Sequence, residues 1–183
     1  EVNLNDQQLL DQLRNGDRTA QKTLYTKYVG SLAAICSRYV VDPDDVKDVL
    51  QESFIKIFTQ LDSFTYRGEG SLKAWMGRIV VNMSINFIKT SGRLNLVYDD
   101  DVSTNIAETE EPDADGVPPG VLQEMIKKLP DGYRTVLNLY VFENKSHKEI
   151  ATLLNIKATS SASQLFHAKA MMAKMIKEYK RTQ

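Results

Sequence analysis

Residues 42–64, which read DPDDVKDVLQESFIKIFTQLDSF, constrain the fold more than any other stretch of the chain. Asp42 is a preferred N-cap residue, and Pro43 suits the first turn of a helix. Apolar residues then recur at spacings of three and four, which places them on one buried face: Val46, Val49, Leu50, Phe54, Ile57, Phe58 and Leu61. The sequence therefore predicts a helix roughly 30 Å long, at ~1.5 Å per residue, with one buried face.

The segments on either side carry helical patterns as well. A short helix is predicted from Leu4 to Arg14, and a longer one from about Arg18 to Val40. The inward residues of the longer helix are predicted to be Leu24, Tyr25, Tyr28, Leu32, Ile35 and Tyr39. Residues 79–87 alternate as a strand would, but the longer segment 72–93 also fits a helix that buries Leu72, Trp75, Met76, Ile79, Met83 and Phe87. We favour the helix, because the pattern is too long for an ordinary strand.

Charge is distributed unevenly along a chain whose net charge is only −1. Residues 95–119 hold eight carboxylates and no Lys or Arg, and few large apolar residues follow Tyr98. Such a segment cannot bury enough surface to fold alone, so we predict a flexible acidic linker there. It separates a first domain, residues 1–94, from a second, residues 120–183, which has 11 basic and five acidic residues.

A polar stripe follows from a helix over residues 72–93. No carboxylate occurs between Gly70 and Tyr98. The members of the stripe fall at intervals of three and four, and they are Arg78, Asn82, Asn86, Lys89 and Arg93. Phe64, Tyr66 and Trp75 lie nearby in sequence. Hydrogen-bond donors beside aromatic rings suit a nucleic-acid strand with unstacked bases. An ordinary exposed helix with Trp75 in the core is the alternative, and the pattern alone leaves both open.

The second domain has the pattern of a helix-turn-helix. Ser146 and Glu149 form a predicted capping box, and the helix after them ends at Asn155. A last long helix begins near Thr159, with a predicted buried stripe of Leu165, Ala168, Met172 and Ile176 and an outward stripe of Ser160, Ser163, Gln164 and His167. Helix-turn-helix units place such a helix in the major groove of DNA.

Several function classes lack support in the sequence. We find no glycine-rich phosphate loop, no metal-spaced Cys/His cluster and no nucleophile elbow, so we predict neither an enzyme nor a cofactor or metal site. Cys36 is the single cysteine and is predicted to be a buried thiol. The sequence shows no secretory pattern and no run of about 18 apolar residues. We therefore expect a cytoplasmic protein without membrane insertion.

Three motifs occur in the order found in one known family. The first is Asp48-Val49-Leu50-Gln51-Glu52-Ser53-Phe54, and the second is Phe64-x-x-Arg67-Gly68 followed by Trp75-x-x-Arg78-Ile79-x-x-Asn82. The third is the array Leu129-Pro130, Tyr133-Arg134, Val136-Leu137, Ser146, Glu149-Ile150-Ala151, Leu154, Ile156 and Ala168-Lys169. Together they resemble the bacterial sigma-70 superfamily, in its short extracytoplasmic-function (ECF) form. The resemblance implies an all-α protein with two small helical domains, an N-terminal bundle and a C-terminal helix-turn-helix.

The resemblance also implies partners and sites. The partners are core RNA polymerase, promoter DNA and an anti-sigma factor. Core polymerase would contact Asp45, Asp48, Gln51, Glu52 and Phe54. The −10 promoter element would contact Phe64, Arg67, Trp75, Arg78, Asn82, Asn86, Lys89 and Arg93, with a flipped base read near Asn82. The −35 element would contact Arg134, Lys145, Lys148, Ser160, Ser161, Ala162, Ser163, Gln164, His167 and Lys169.

The last helix departs from the family pattern at three usually basic positions, which are Ala162, Gln164 and His167 here. We therefore expect −35 binding with a shallow salt dependence, because fewer cations release counterions. The main rival hypothesis is a free-standing helix-turn-helix regulator that binds a palindromic site as a dimer, without polymerase. That hypothesis gives the stripe from Arg78 to Arg93 no role. An α-helical enzyme lacks a catalytic constellation, and a protein scaffold leaves the basic second domain unexplained.

Overall fold

The structure is a computed structural model that describes residues 4–92, 94 and 111–183. In these ranges it contains α-helices and one short 3-10 helix, and no strand, which confirms the predicted all-α class. The elements are α1 (Asp6–Arg14), α2 (Arg18–Cys36), α3 (Pro43–Gln60), the 3-10 helix (Leu61–Ser63), α4 (Ser71–Thr90), α5 (Pro119–Lys127), α6 (Asp131–Val141), α7 (His147–Leu154) and α8 (Ala158–Arg181).

The helices form two compact units that divide between residues 87 and 88, near the end of α4. The first unit therefore contains α1 to α3 and most of α4, and the second contains α5 to α8. Most of the predicted acidic linker, and Arg93 of the predicted stripe, lie outside the described residues. The predicted domain borders at residues 94 and 119 stay predictions.

Local capping signals fix the starts of the first three helices. Asn5 and Gln8 form a capping box at α1, Asp17 accepts from the backbone at the start of α2, and Asp42 does so at α3. The Oδ1 atom of Asp42 lies 2.9 Å from the amide nitrogen of Asp44. Each cap satisfies backbone N–H groups that have no partner within the helix, so α2 and α3 begin where the sequence predicts. The prediction was wrong for two other ends, because α1 begins at Asp6 rather than Leu4 and α2 ends at Cys36 rather than near Val40.

The core of the first unit lies between α4 and the three preceding helices. A Cβ atom at Gly77 of α4 would come within 3.2 Å of Ile35 on α2, so the two helices pack closely there. On the same side, the hydroxyl of Ser84 lies 3.4 Å from the sulfur of Cys36. Cys36 is buried as predicted, and burial raises the pKa of its thiol. A buried thiol of raised pKa is a packing residue, because the reactive thiolate is disfavoured.

Two predicted buried faces need correction. Tyr25 on α2 was expected inside, but 48% of it is exposed, because its ring lies over Phe54 from the outside, with the ring centroids 4.7 Å apart. In α4 the predicted inward residues Trp75, Met83 and Phe87 are only half-buried. The residues that α4 buries are instead Leu72, Met76, Ile79, Val80, Val81, Ser84, Ile85 and Ile88. The buried face is therefore rotated relative to the predicted one.

The second unit is built around α8. The predicted capping box between Ser146 and Glu149 is present at α7, and its bonds hold the pKa of Glu149 below the ordinary value. Asn155 ends α7 with φ 55°, the left-handed conformation that asparagine tolerates. All four predicted inward residues of α8 are buried: Leu165, Ala168, Met172 and Ile176. This confirms the helix-turn-helix, with α8 as its second helix.

Candidate polymerase and nucleic-acid surfaces

The outer face of α3 carries the first candidate surface, which we call the α3 patch: Asp48, Gln51, Glu52 and Ile55. All four side chains are exposed, and their spacings of three and four place them side by side. Ile55 was missed by the sequence analysis although 64% of it is exposed, and its position outside the apolar period was the available signal. The α3 patch therefore combines two carboxylates and an amide with one exposed apolar side chain.

Phe54 does not lie on this patch, contrary to its predicted role as a polymerase contact. It is buried, and its ring lies between those of Tyr25 and Phe58, at centroid distances of 4.7 and 6.1 Å. The cause is its place in the apolar period of α3, which points it into the bundle. Phe54 therefore supports the patch from below. Asp45, also predicted to contact polymerase, is half-buried near the start of α3.

The second candidate surface is a line of side chains along α4, which we call the α4 stripe: Trp75, Arg78, Asn82, Asn86 and Lys89. These residues fall within one helical face at 100° per residue, and the last four are exposed. The stripe is roughly 21 Å long at ~1.5 Å per residue, about six base steps of 3.4 Å. The structure thus brings together the described members of the predicted donor stripe.

An aromatic platform lies at the beginning of the α4 stripe. The rings of Phe64 and Trp75 have their centroids 4.9 Å apart, with Phe64 buried and Trp75 half-buried. Phe64 is held from behind, because Arg14 of α1 donates to its carbonyl oxygen at 2.7 Å. Phe64 is therefore a support rather than a surface contact, and Trp75 is the ring that a base can reach. The alternative prediction, which placed Trp75 in the core, is wrong because Trp75 is only half-buried.

The loop between the 3-10 helix and α4 is shaped by Gly68 and Gly70, which have φ of 111° and 81°. Other residues adopt such angles rarely, so these glycines allow the chain to turn sharply into α4. Ser71 is the first residue of α4 rather than its cap, and its hydroxyl donates to the carbonyl oxygen of Gly68 at 2.6 Å. Arg67 in this loop is exposed, as a DNA contact requires.

A cleft of about 380 Å³ opens on the other side of this loop. Residues from α1, α2, the loop and α4 line it: Asn5, Asp6, Gln7, Lys27, Tyr28, Tyr66, Glu69, Gly70 and Lys73. Asp6 accepts from Lys27 at 2.8 Å and from the hydroxyl of Tyr28 at 2.5 Å. Burial and Asp6 raise the pKa of Tyr28, so its hydroxyl remains a donor. Lys73 projects opposite to Asn82 at 100° per residue, so the cleft and the stripe are separate features.

The third candidate surface is the outward face of the first half of α8. Thr159 and Ala162 are exposed, whereas Ser160, Ser163 and His167 are half-buried. The ring of His167 stacks on Tyr133 with centroids 5.6 Å apart, which fixes its position. Lys145, in the turn before α7, is half-buried, and Lys148, near the start of α7, is exposed. Thr159 was not among the predicted contacts, although its place next to the start of the helix was a usable signal.

Two predicted −35 contacts on α8 point inward. Gln164 is 3% exposed and Ser161 is fully buried, where Nδ1 of His147 lies 3.0 Å from the Ser161 hydroxyl. The reason is the helical period, since positions 161 and 164 lie four residues before the buried Leu165 and Ala168. The prediction that Gln164 belongs to the outward stripe is therefore wrong. Ser161 instead joins the two helices of the helix-turn-helix.

Arg134 is also misplaced by the sequence analysis as a phosphate contact. It is 4% exposed, and its guanidinium donates to the carbonyl oxygens of Leu129 at 2.7 Å and Lys127 at 3.3 Å. It also forms an ion pair with Asp131. These carbonyls belong to the end of α5 and the turn after it, where backbone acceptors lack helical partners. Arg134 therefore closes the end of α5 rather than facing DNA.

The described part of the chain lacks two further kinds of feature. Within residues 4–92 and 111–183, no group of three or more His, Cys, Asp and Glu side chains is arranged to hold a metal ion. Over the same part of the chain, none of the helices is both long and apolar enough to cross a membrane.

Comparisons with known proteins match both units. A family model described as Sigma-70 region 2 matches residues 24–94, and one described as Sigma-70, region 4 matches residues 120–172. The chain belongs to the sigma-70 family. The first match contains the α3 patch and the α4 stripe, and the second contains the helix-turn-helix.

Relatives extend the match over nearly the whole chain and identify the ECF type. The ECF RNA polymerase sigma-E factor of Haemophilus influenzae is 29% identical, over 94% of this chain and 96% of the relative. The RNA polymerase sigma-H factor of Pseudomonas aeruginosa is 31% identical, over 93% of each. A solved complex of the sigma factor RpoE with the anti-sigma factor NepR from Bartonella quintana gives a TM-score of 0.49 at 18% identity, over 85% of this chain and 96% of that one.

Proposed function

We propose that this sigma factor divides its work among the three surfaces described above. The α3 patch docks on core RNA polymerase, the α4 stripe holds the non-template strand of the −10 element, and the outward face of α8 reads the −35 element. As a member of the sigma-70 family, the chain acts in transcription initiation. It carries out no reaction of its own, and it works in the cytoplasm, where the polymerase makes the RNA.

The α4 stripe is the observation that carries this proposal. Its exposed groups include two cations and two amides, and it begins at an aromatic ring that a base can stack on. Arg78 and Lys89 attract the phosphates, and the amides of Asn82 and Asn86 can both donate to and accept from base edges. Base stacking on an aromatic side chain contributes about 1–3 kcal/mol per base. Duplex DNA presents no free base faces, so the stripe suits a melted strand.

Docking on polymerase is the second part of the proposal. In the α3 patch, Asp48 and Glu52 supply negative charge around the exposed Ile55. A partner surface that combines Arg or Lys with an apolar centre would complement it. The same patch, or the outward face of α8, is where an anti-sigma factor would compete with polymerase or DNA. We propose such a factor as a further partner on the basis of the family.

Run-off transcription with core polymerase over a promoter library tests the proposed function. We expect transcripts only when sigma factor and core enzyme are both present, and the selected promoters define the −10 and −35 sequences. A gel shift with and without core enzyme separates this proposal from the free-standing regulator. Tight sequence-specific binding by the isolated chain as a dimer, with no stimulation of run-off, would favour the regulator.

A further inference from the structure

The end of the acidic region folds onto the second unit, in a segment that we call the acidic turn, residues 111–118. Val117 is 7% exposed, and its amide donates to the carbonyl oxygen of Ala114 at 3.1 Å. The amide of Asp115 donates to the carboxylate of Asp113 at 3.3 Å. The acidic turn is thus anchored by a buried side chain immediately before α5 begins at Pro119.

Two ion pairs attach the acidic turn to α8. Lys169 donates to both carboxylate oxygens of Glu111, at 2.8 and 3.0 Å, and Lys180 donates to Asp113 at 2.8 Å. The hydrogen bond from Lys180 contributes most to holding the pKa of Asp113 below its ordinary value, so the carboxylate is charged at neutral pH. The two lysines are three helical turns apart on one face of α8. The acidic turn therefore lies against a single face of this helix.

That face continues into the proposed DNA-reading half of α8. Ala162 precedes Lys169 by two turns, about 10 Å along the axis, and points in nearly the same direction. No Lys or Arg occurs between Ala158 and Ala168, so Lys169 is the first cation of α8. Lys157, the N-cap residue of α8, lies about 140° around the helix from Ala162, so on the face of Ala162 the nearest ammonium group for DNA is that of Lys169, which Glu111 holds. A carboxylate and a phosphate compete for the same donor.

We propose that the acidic turn is a built-in competitor of promoter DNA, which occupies Lys169 until −35 DNA replaces Glu111. This rests on the proposed function, because it requires that α8 binds DNA. The exchange is feasible, since exposed ion pairs contribute little stability and are readily replaced. Glu111 is tethered close to Lys169, so it competes at a high effective concentration. DNA binding then also releases the end of the linker from α8.

The test uses the full chain assembled with core polymerase, and the variant Glu111→Gln with Asp113→Asn. The replacements keep side-chain shape, and the amide oxygen of asparagine can still accept from Asp115. The control, Glu124→Gln with Glu178→Gln, removes two exposed carboxylates that belong to α5 and α8 of the same unit rather than to the acidic turn. It corrects for the general effect of net charge on DNA binding.

Affinity is measured across a salt series on a duplex that carries the −35 sequence selected by the holoenzyme. Relative to the control, we expect the variant to bind roughly two- to fivefold more tightly, which corresponds to one or two exposed ion pairs. In the variant, Lys169 can neutralise a phosphate and release its counterion, and no carboxylate is set free in exchange. We therefore expect the salt slope of DNA binding to be steeper by about 0.9. An affinity and slope equal to those of the control would overturn the proposal.

Hydrogen exchange at the Val117 amide reports on the acidic turn directly. We expect faster exchange in the variant without DNA, and in the wild-type chain when the duplex is added. If the duplex protects α8 while Val117 exchange stays unchanged, this proposal fails and the −35 assignment stands. If α8 of the holoenzyme binds no duplex in any variant, the −35 part of the proposed function fails together with this proposal.

Discussion

Replacing Arg134 by methionine separates a structural role from a DNA-binding role at this position. The change removes the guanidinium but keeps an unbranched apolar side chain that adapts to its surroundings. It leaves the carbonyl oxygens of Lys127 and Leu129 without their donor, and Asp131 without its cation. If the buried position is correct, the main effect must be on the stability of the second unit.

The size of the effect follows from the burial of the two partners. Breaking a buried ion pair by removing one member costs about 3–5 kcal/mol. The side chain of Arg134 is 5% exposed and that of Asp131 is 30% exposed, so water can partly replace the lost partner of the carboxylate. We therefore expect the lower end, about 3 kcal/mol. In a domain of 60–100 residues this lowers the melting temperature by roughly 12–24 °C.

Circular dichroism on the full chain measures the melting temperature, and hydrogen exchange over residues 131–141 locates the loss. Lys148→Met is the matched control, because it removes an exposed cation at the start of α7. We expect the control to melt near the wild type and to reduce the salt slope of DNA binding by about 0.9 if Lys148 contacts a phosphate. The reasoning is refuted if Arg134→Met melts within about 2 °C of the wild type while DNA binding loses that slope.

Three further changes test the candidate surfaces. Gln51→Ala with Glu52→Ala should weaken core polymerase binding by about 2 kcal/mol or more without lowering the melting temperature; unchanged affinity in a titration with labelled core enzyme contradicts the α3 patch. Asn82→Ala should reduce permanganate reactivity of the −10 region while core binding is retained, and a wild-type footprint counts against the stripe. Ala162→Arg should tighten −35 binding and steepen the salt slope by about 0.9, whereas Thr182→Arg, roughly 30 Å along α8, should not.

Most helix starts were predictable because their signals are local, whereas the predicted start of α1 at Leu4 and the predicted end of α2 near Val40 were not confirmed. The caps at Asp42 and Ser146 act within three residues, and Asn155 ends α7 through its own backbone conformation. These capping signals do not depend on which helices later pack together. The apolar period placed six of its seven predicted residues from Val46 to Leu61 in the core, with Phe58 half-buried, and all four predicted inward residues of α8 are buried. The choice of a helix for residues 72–93 rested on length, and α4 confirms it.

Side-chain direction was predicted less well, for two different reasons. The inward position of Gln164 follows from the period of α8, because position 164 lies four residues before the buried Ala168. The burial of Arg134 could not be predicted from the sequence, because arginine on an amphipathic helix is usually exposed. Its partners are backbone carbonyls at the end of another helix. The half-exposed position of Trp75 likewise depends on Phe64, which lies in a loop.

These corrections change which surface supplies the electrostatic attraction for DNA. With Arg134 buried and Lys169 paired with Glu111, the proposed −35 surface keeps the exposed Lys148 and the half-buried Lys145 beside its hydroxyl and imidazole groups. Arg67 in the loop before α4, and Arg78 and Lys89 on the α4 stripe, are exposed cations, each worth about 0.7 in salt slope on a single strand, whereas Lys148 is worth about 0.9 on a duplex. We therefore expect a holoenzyme on forked promoter DNA to lose more slope when the single-stranded −10 region is removed than when the −35 duplex is removed. The opposite order would mean that α8 and its neighbours, not α4, carry the phosphate contacts.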